Sequence, residues 1–555
     1  MPRSTRLTVC LGFTVALLLS LGLQYLRPSP VAITPPPPTI GTNLAGIADW
    51  STQMPFIDGF KSSRPWIAQC DAAESGCRGN WSTGEEGQLD LDEHGWVRSL
   101  PAAADPPEYT RAGTLLYRGV EDYPAGTYHV RYEGRGELRY DYDAKRIATA
   151  PGEDTLDVSP SEAGIFLQIV ATDPQDYIRN IRVIPATYES ALTRSPFNPV
   201  FLEKTQPFGV LRFMDWMATN DSQQETWANR PQPQDATYAA RGVPVEVMVD
   251  LANTLGRSPW FNMPHRADED YVRQFARYVN QHLDPNLPIY VESSNEVWNG
   301  QFDQADYAAA EGQRLKLGSG ANESRHRWHG KRTAEVLQIW EAAFGADRDR
   351  IVGVLGAQAA NDWTAEQALE YLRQQGIFNA DAGIDAIAIA PYISLPLSEP
   401  KAAAALEQWV RDDPEAALDR LFTEISQGGV LAGGHAGGAV QQAFDRVTDY
   451  IELTRREDLA LVAYEGGQHL APLHNGMENN RAIVDLFIAA NRDPRIGQVY
   501  QDYLARWQEQ VGGLFVHFSD ITAPGKWGSW GALESLYQTQ SPKYDALMQA
   551  IGGGQ

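Results

Sequence analysis

Two hydrophobic periodicities divide the chain. Segments 114–118, 127–132, 137–142, 164–170 and 177–184 alternate apolar with polar side chains, and Gly, Asp and Pro turns separate them. Alternation at period two puts one strand face on a core and the other in water. The region from about 113 to 185 therefore predicts an antiparallel β-sandwich. After Pro196 the pattern changes. Strand-like apolar runs at 209–213, 243–249, 289–292, 351–355, 386–390, 459–464 and 513–518 now alternate with helical patterns. Those patterns include 270–280, 325–344, 365–374, 479–490 and, after the last strand, 543–551. Strand followed by helix, repeated, predicts βα units and a parallel sheet.

A closed (β/α)8 barrel needs eight strands, and the second region supplies seven. An apolar stretch at 42–47, ahead of the sandwich, is the candidate for the missing first strand. On that reading the sandwich is inserted between the first barrel strand and the first helix, near 197–205. The other reading is a free-standing N-terminal sandwich with the eighth strand elsewhere, and we favour insertion. The fold class is thus α/β, a TIM barrel with an additional antiparallel β-sandwich. The expected boundaries are 41–66 for the first barrel strand region, 67–190 for the sandwich and 191–555 for the barrel.

The N-terminus has a different character. Arg3 and Arg6 precede an apolar run from Leu7 to Leu23, a charged segment followed by a hydrophobic one, which marks export. No small-x-small cleavage site follows cleanly, so residues 1–27 read either as a cleaved signal peptide or as an uncleaved signal anchor. Pro28, Pro30 and Pro35–Pro38 make 28–40 a stiff, extended linker. The expected location is periplasmic or extracellular, with possible membrane anchoring through the N-terminal segment. In such a compartment Cys70 and Cys77 are expected to pair as a small local disulfide.

Composition narrows the partners. Of 555 residues 43% are hydrophobic and 21% charged, a globular balance that excludes wholesale disorder and a multi-span membrane protein. Asp and Glu number 71 against 46 Lys and Arg, a net charge of −25, so a nucleic-acid partner is not expected. The histidines show no His-Glu-x-x-His spacing. No Gly-x-Gly-x-x-Gly opens a helix after a strand, and there is neither a P-loop nor a Gly-x-Ser-x-Gly elbow. No metal site and no cofactor are expected.

Candidate chemistry sits at two strand ends. The apolar run 289–292 leads into Asn295-Glu296 and then Trp298. The run 459–464 leads directly into Glu465-Gly466-Gly467. In a TIM barrel the C-terminal strand ends form the active-site face, and strands four and seven lie on opposite sides of the ring. Two carboxyl groups about 5 Å apart can cleave a glycosidic bond with retention, one as nucleophile and one as a protonated acid. The two glycines are expected to let the backbone approach a ligand closely.

The Asn295-Glu296 pair after a strand, with Glu465 ending strand seven, resembles the clan A glycoside hydrolases. The resemblance spans the barrel, about two-thirds of the chain. Val297 follows the acid/base position where several families of the clan have Pro, and Gly466 rather than a bulky residue follows Glu465. The resemblance implies a (β/α)8 barrel and double displacement on a β-linked polysaccharide or oligosaccharide, with Glu296 as acid/base and Glu465 as nucleophile. It also implies that Asn295 contacts the sugar 2-hydroxyl, that Arg212 steadies the nucleophile, that Tyr392 contacts it, and that Trp527 supplies a sugar platform. Trp260, Trp298 and Trp530, among the tryptophans near predicted strand ends, are subsite candidates, since an indole stacks well on a sugar face. His265 and His469 are further candidate cleft residues. The competing readings are a non-catalytic glycan-binding protein on a barrel scaffold and a transglycosylase using the same residues. The sandwich is read either as a carbohydrate-binding module offering Tyr132, Tyr140 and Tyr142 or as a rigid prop.

Overall fold

A computed structural model describes residues 40–71, 77–78, 81–101, 108–377 and 382–552. The expected signal segment and nearly all of the Pro-rich linker lie outside the described residues. Among the described residues no helix is long and apolar enough to cross a membrane.

Eight parallel strands close into a barrel. In chain order they are β1 (Ile40–Asn43), β2 (Val210–Arg212), β3 (Ser258–Met263), β4 (Ile289–Ser293), β5 (Ile351–Gly356), β6 (Ala386–Ile389), β7 (Ala460–Ala463) and β8 (Phe515–His517). Each pairs with the next, and β8 returns to β1 through Ile40 opposite Phe515 and Thr42 opposite His517. The antiparallel strands all fall between β1 and β2.

Period-two alternation sorts the barrel side chains. Leu211, Phe261, Val291, Ile387, Leu461 and Phe515 point outward into the main core shared with the helices. Val210, Trp260, Val354, Ala386, Ala388, Val462, Tyr464, Leu514 and Val516 fill the lumen. The large rings of Trp260 and Tyr290 stack at 5.2 Å, and the two alanines of β6 leave them room.

The third strand is not where alternation placed it. Residues 243–249 read as a strand, yet Val245–Leu255 is an α-helix. Its buried residues Val245, Met248, Val249 and Ala252 recur at the helical spacing of three and four, a period the short window hid. Pro244 precedes its first turn, and Gly256, in the left-handed region at φ +62°, ends it. The true β3 begins two residues later and contains Pro259, which sequence reasoning takes as a mark against a strand.

Eight of the strands between β1 and β2 form two four-stranded antiparallel sheets, and Asp90–Leu91 pairs with Val97–Ser99 in a separate two-stranded one. One four-stranded sheet has the order Ile67–Gln69, Arg111–Leu116, Ile165–Thr172, Gly136–Tyr142. The other has Arg179–Pro185, Gly126–Glu133, Glu153–Val158, Ala144–Ala150. The polar strands Ala144–Ala150 and Glu153–Val158 carry too few apolar residues to stand out in sequence. Cys70 and Cys77 are joined as a disulfide beside the first sheet. The insertion is tied back to the barrel: Asp58 accepts from Val183 N at 2.9 Å, and the hydroxyls of Tyr188 and Tyr537 meet at 3.1 Å. Of the sandwich tyrosines, Tyr140 donates to Asp154 at 2.9 Å, whereas Tyr142 is exposed and stacks on Phe166 at 5.4 Å.

Candidate active site

The site is built outward from one buried cation. Arg212 ends β2 with its side chain fully buried. One terminal nitrogen donates to Asn43 Oδ1 at 3.0 Å and Glu465 Oε1 at 2.8 Å. The other donates to Glu292 Oε2 at 2.9 Å and Asn295 Oδ1 at 2.8 Å. The rings of Trp260 and Tyr464 flank the guanidinium at 5.5 and 5.0 Å. Burial alone would discharge it, but Glu292 and Glu465 outweigh that and hold the group firmly protonated. Glu292, which sequence reasoning passed over, also accepts from Trp260 Nε1 at 2.9 Å and Asn262 Nδ2 at 2.7 Å. It faces the lumen one turn of alternation beyond Tyr290, and only that position inside a strand distinguishes it from a surface glutamate.

Glu296 lies three residues beyond the end of β4, on a backbone that the surroundings hold in an unfavourable shape. Ser294 and Glu296 both have left-handed φ angles, +64° and +42°. Such positions cost about 1–3 kcal/mol each in a non-glycine residue. Three contacts fix them: Asn262 Nδ2 to Ser294 O at 2.8 Å, Gln304 Nε2 to Asn295 O at 2.9 Å, and Asn299 N to Glu296 O at 2.7 Å. The carboxyl accepts from Tyr464 Oη at 2.9 Å and from Asn299 Nδ2 at 2.9 Å.

Glu465 lies two residues beyond β7 and is 5% exposed. Oε1 accepts from Arg212, and Oε2 accepts from Tyr392 Oη at 2.9 Å. Gly466 and Gly467, expected to admit a ligand to the backbone, serve packing instead. A Cβ on Gly466 would meet the Phe515 ring at 2.5 Å. One on Gly467, at φ +124°, would meet Tyr500 Oη at 2.6 Å.

Glu296 and Glu465 line one cleft of about 320 Å³, together with Trp298, Tyr392, His469, Phe518 and Trp530 among others. Burial raises the pKa of both carboxyls. For Glu465 the adjacent Arg212 charge pulls the other way and Glu296 adds to the rise. For Glu296 the opposing partners in direct contact are the neutral donors Asn299 and Tyr464. Glu465 is pushed up to about 8 in spite of Arg212, and the two carboxyls differ in what they touch: Arg212 and Tyr392 on Glu465, Tyr464 and Asn299 on Glu296. Burial and the neighbouring carboxyls push Tyr392 and Tyr464 far above the usual phenol range, so both remain donors at neutral pH.

The remaining candidates sort by geometry. Trp298 lines the cleft, and its Nε1 donates to Tyr464 Oη at 3.3 Å. Trp530 and His469 pack edge-on at 5.0 Å, and both lean on Tyr392. The two-stranded sheet of Ile393–Ser394 and Gln468–His469 holds that wall. Trp527 is 62% exposed and outside the cleft lining, whereas Trp530 lines it. Trp260 is fully buried in the lumen, with no face open to a sugar. His265 is buried against Tyr307 at 5.1 Å and does not reach the cleft; burial pulls its pKa down to about 4. Asn295 is 2% exposed, with Oδ1 held by Arg212 and Nδ2 donating to Asn220 Oδ1 at 3.0 Å. Asn43, Asn299 and Tyr464 had no signal beyond position near a strand end. Among the described residues, the one trio of His, Cys, Asp or Glu with mutually close ligand atoms is Cys70, Cys77 and Glu108, and its cysteines are joined in the disulfide.

No protein-family model matches the chain, and no curated protein matches it. Solved structures do. A GH5 xyloglucan-specific endo-β-1,4-glucanase from a metagenomic library, in complex with cellotriose, is similar over 63% of this chain and 86% of its own, at 14% identity and a TM-score of 0.32. A fungal β-1,4-galactanase is similar over 64% and 92%, at 12% identity and a TM-score of 0.34. An exo-β-agarase is similar over 94% of this chain and 62% of its own, at 9% identity and a TM-score of 0.36.

Proposed function

We propose that the protein is a glycoside hydrolase of the clan A type that cleaves β-glycosidic bonds by retaining double displacement. Glu465 Oε2 or Oε1 attacks the anomeric carbon while protonated Glu296 gives its proton to the departing glycosidic oxygen. A covalent glycosyl ester forms on Glu465 and the aglycone leaves. Water, deprotonated by the now ionised Glu296, then displaces Glu465 and restores both carboxyls to their starting states.

The observation that carries this reading is that two carboxyls, half-buried Glu296 just past β4 and buried Glu465 just past β7, line a single cleft. The division of roles follows from their partners. Arg212 and Tyr392 favour a carboxylate on Glu465, as a nucleophile requires, while among the described residues no cation touches Glu296. Trp298 and Trp530 supply apolar faces on which sugar rings stack. The substrate is a β-linked oligosaccharide or polysaccharide, and the N-terminal charged and apolar segment supports action outside the cytoplasm.

The experiment is hydrolysis by purified protein of β-glucans, β-galactans, β-mannans and β-xylans, with Glu465→Gln alongside. Wild-type cleavage that falls by about 10⁴-fold or more in the variant supports the reading. Equal cleavage by both overturns the assignment of Glu465.

A further inference from the structure

The cleft holds a cation that the proposed chemistry does not use. Arg446, on the helix Gly438–Glu457, lines it and is the one Arg or Lys among its lining residues. The side chain is half-buried, and among the described residues it has no ion pair and no hydrogen-bonded partner. Its nearest acidic neighbour in sequence, Asp445, is engaged elsewhere, with His435 Nε2 at 2.9 Å and Gln441 Nε2 at 2.7 Å. Glu296 and Glu465 are engaged with each other's surroundings through Tyr464, Tyr392 and Arg212. Burial alone lowers the Arg446 pKa, with no carboxylate acting against it.

The placement is anchored. Tyr450, one helical turn beyond Arg446 and on the same face, donates to Gln358 O at 2.8 Å. Gln358 follows β5 and lines the cleft with Ser394. The side-chain amide of Gln358 has no hydrogen-bond partner among the described residues. The helix also packs on the strand Ile393–Ser394. Arg446 therefore lines the same cleft as Gln358, on a helix tied to the loop after β5 and packed on the strand after β6. A guanidinium partly withdrawn from water without a counter-charge is costly, and an arriving anion removes that cost. Its planar fork suits a carboxylate or a sulfate held by two parallel hydrogen bonds.

We propose that Arg446 forms a subsite for an anionic substituent of the glycan, a uronate carboxylate or a sulfate ester, with Gln358 as the accompanying hydrogen-bond donor. The inference rests on the glycosidase reading above and deepens it by naming the substrate class. It also sets a local preference against the overall charge of −25, which by itself disfavours polyanions.

The test uses the full-length Glu465→Gln protein on an array of matched neutral, C6-carboxylate and 6-O-sulfate β-linked oligosaccharides, with Arg446→Met and Arg446→Lys added to it. Wild-type hydrolysis of the same set is measured in parallel. We expect tighter binding of one anionic series than of its neutral counterpart, with the anionic-to-neutral ratio falling about ten- to a hundred-fold in Arg446→Met and less in Arg446→Lys. Which series is preferred, carboxylate or sulfate, identifies the group. Neutral glycans bound as well as anionic ones, or a ratio that Arg446→Met leaves unmoved, overturns the subsite even where neutral glycans are cleaved. Preferential anionic binding without cleavage by the wild type keeps the subsite and overturns the hydrolase. An array on which nothing binds overturns the subsite.

Discussion

The hydroxyl of Tyr464 donates to Glu296 Oε1 at 2.9 Å, so the residue that precedes one cleft carboxyl in the chain is hydrogen-bonded to the other. Strand alternation explains how. Tyr464 points into the lumen at the top of β7, its backbone carbonyl accepting from Asn43 Nδ2 at 3.0 Å, and its ring crosses beneath the cleft toward the β4 loop. Glu465, the next residue, reaches Arg212 and Tyr392. The two carboxyls thus have separate hydrogen-bond partners, which gives each tyrosine hydroxyl a distinct signature in a pH profile.

Removing the Tyr392 hydroxyl takes a hydrogen bond from the ionised form of Glu465, and that bond lowers its pKa. In Tyr392→Phe the pKa rises. The nucleophile must be ionised, so the acid limb of kcat/KM moves to higher pH. We expect kcat/KM at its optimum to fall by about ten-fold, the equivalent of one charge-assisted hydrogen bond. A pH–rate profile of the variant against wild type checks both; an unmoved acid limb contradicts the assignment.

Tyr464→Phe acts on the other limb. Its hydroxyl lowers the pKa of Glu296, so removing it raises that pKa. Glu296 must be protonated to act as acid, and activity then persists to higher pH. The basic limb is expected to shift upward while the acid limb moves less, the reverse of Tyr392→Phe. Both profiles are read with the same substrate, and a shift of the acid limb alone would exchange the roles of the two carboxyls.

Glu296→Ala is expected to lower turnover of a poor leaving group by about 10²–10⁴-fold, the usual contribution of general acid–base catalysis. Substrates with good leaving groups need no protonation and should lose much less in the first step, with added azide restoring the second. Equal losses across leaving groups would deny Glu296 the acid role.

Arg212→Met leaves Glu292 and Glu465 buried without their shared cation. Breaking a buried pair in this way costs about 3–5 kcal/mol. We expect a clear drop in the denaturant midpoint and, in whatever folded protein remains, loss of activity. Gly467→Ala is expected to cost about 1–3 kcal/mol, because its φ is left-handed and its Cβ meets Tyr500. Equilibrium unfolding measures both, and a wild-type midpoint in either contradicts the packing described here.

Much of the fold is legible in the sequence because its cues are local. The apolar runs around Ile289, Ile351, Ala386 and Leu461 are short, continuous and flanked by helical periods, as buried parallel strands are. Residues 243–263 defeated the same reasoning, since the seven residues 243–249 fit both periods and Pro259 disguised the real strand. In the site, Arg212 ends β2, and Glu465, Glu296 and Tyr392 lie two or three residues past strand ends, which made them legible as candidates. Trp260 was placed in the cleft because the strand was read at 243–249, which left residue 260 in the loop after it, whereas it lies inside β3; His265 does follow β3 but packs against Tyr307. Glu292 and Arg446 were not visible at all. One is an ion-pair partner whose mate is 80 positions away. The other is a cation on a helix whose significance lies in the partner it lacks.

The most direct measurement is covalent trapping. Full-length protein is incubated with 2-deoxy-2-fluoro β-glycosides of the sugars it cleaves, then digested and mapped by mass spectrometry. The account expects one glycosyl adduct, on the peptide containing Glu465, and none in Glu465→Gln. An adduct on Glu296 or another residue, or hydrolysis of substrate with inversion and no adduct, would contradict it.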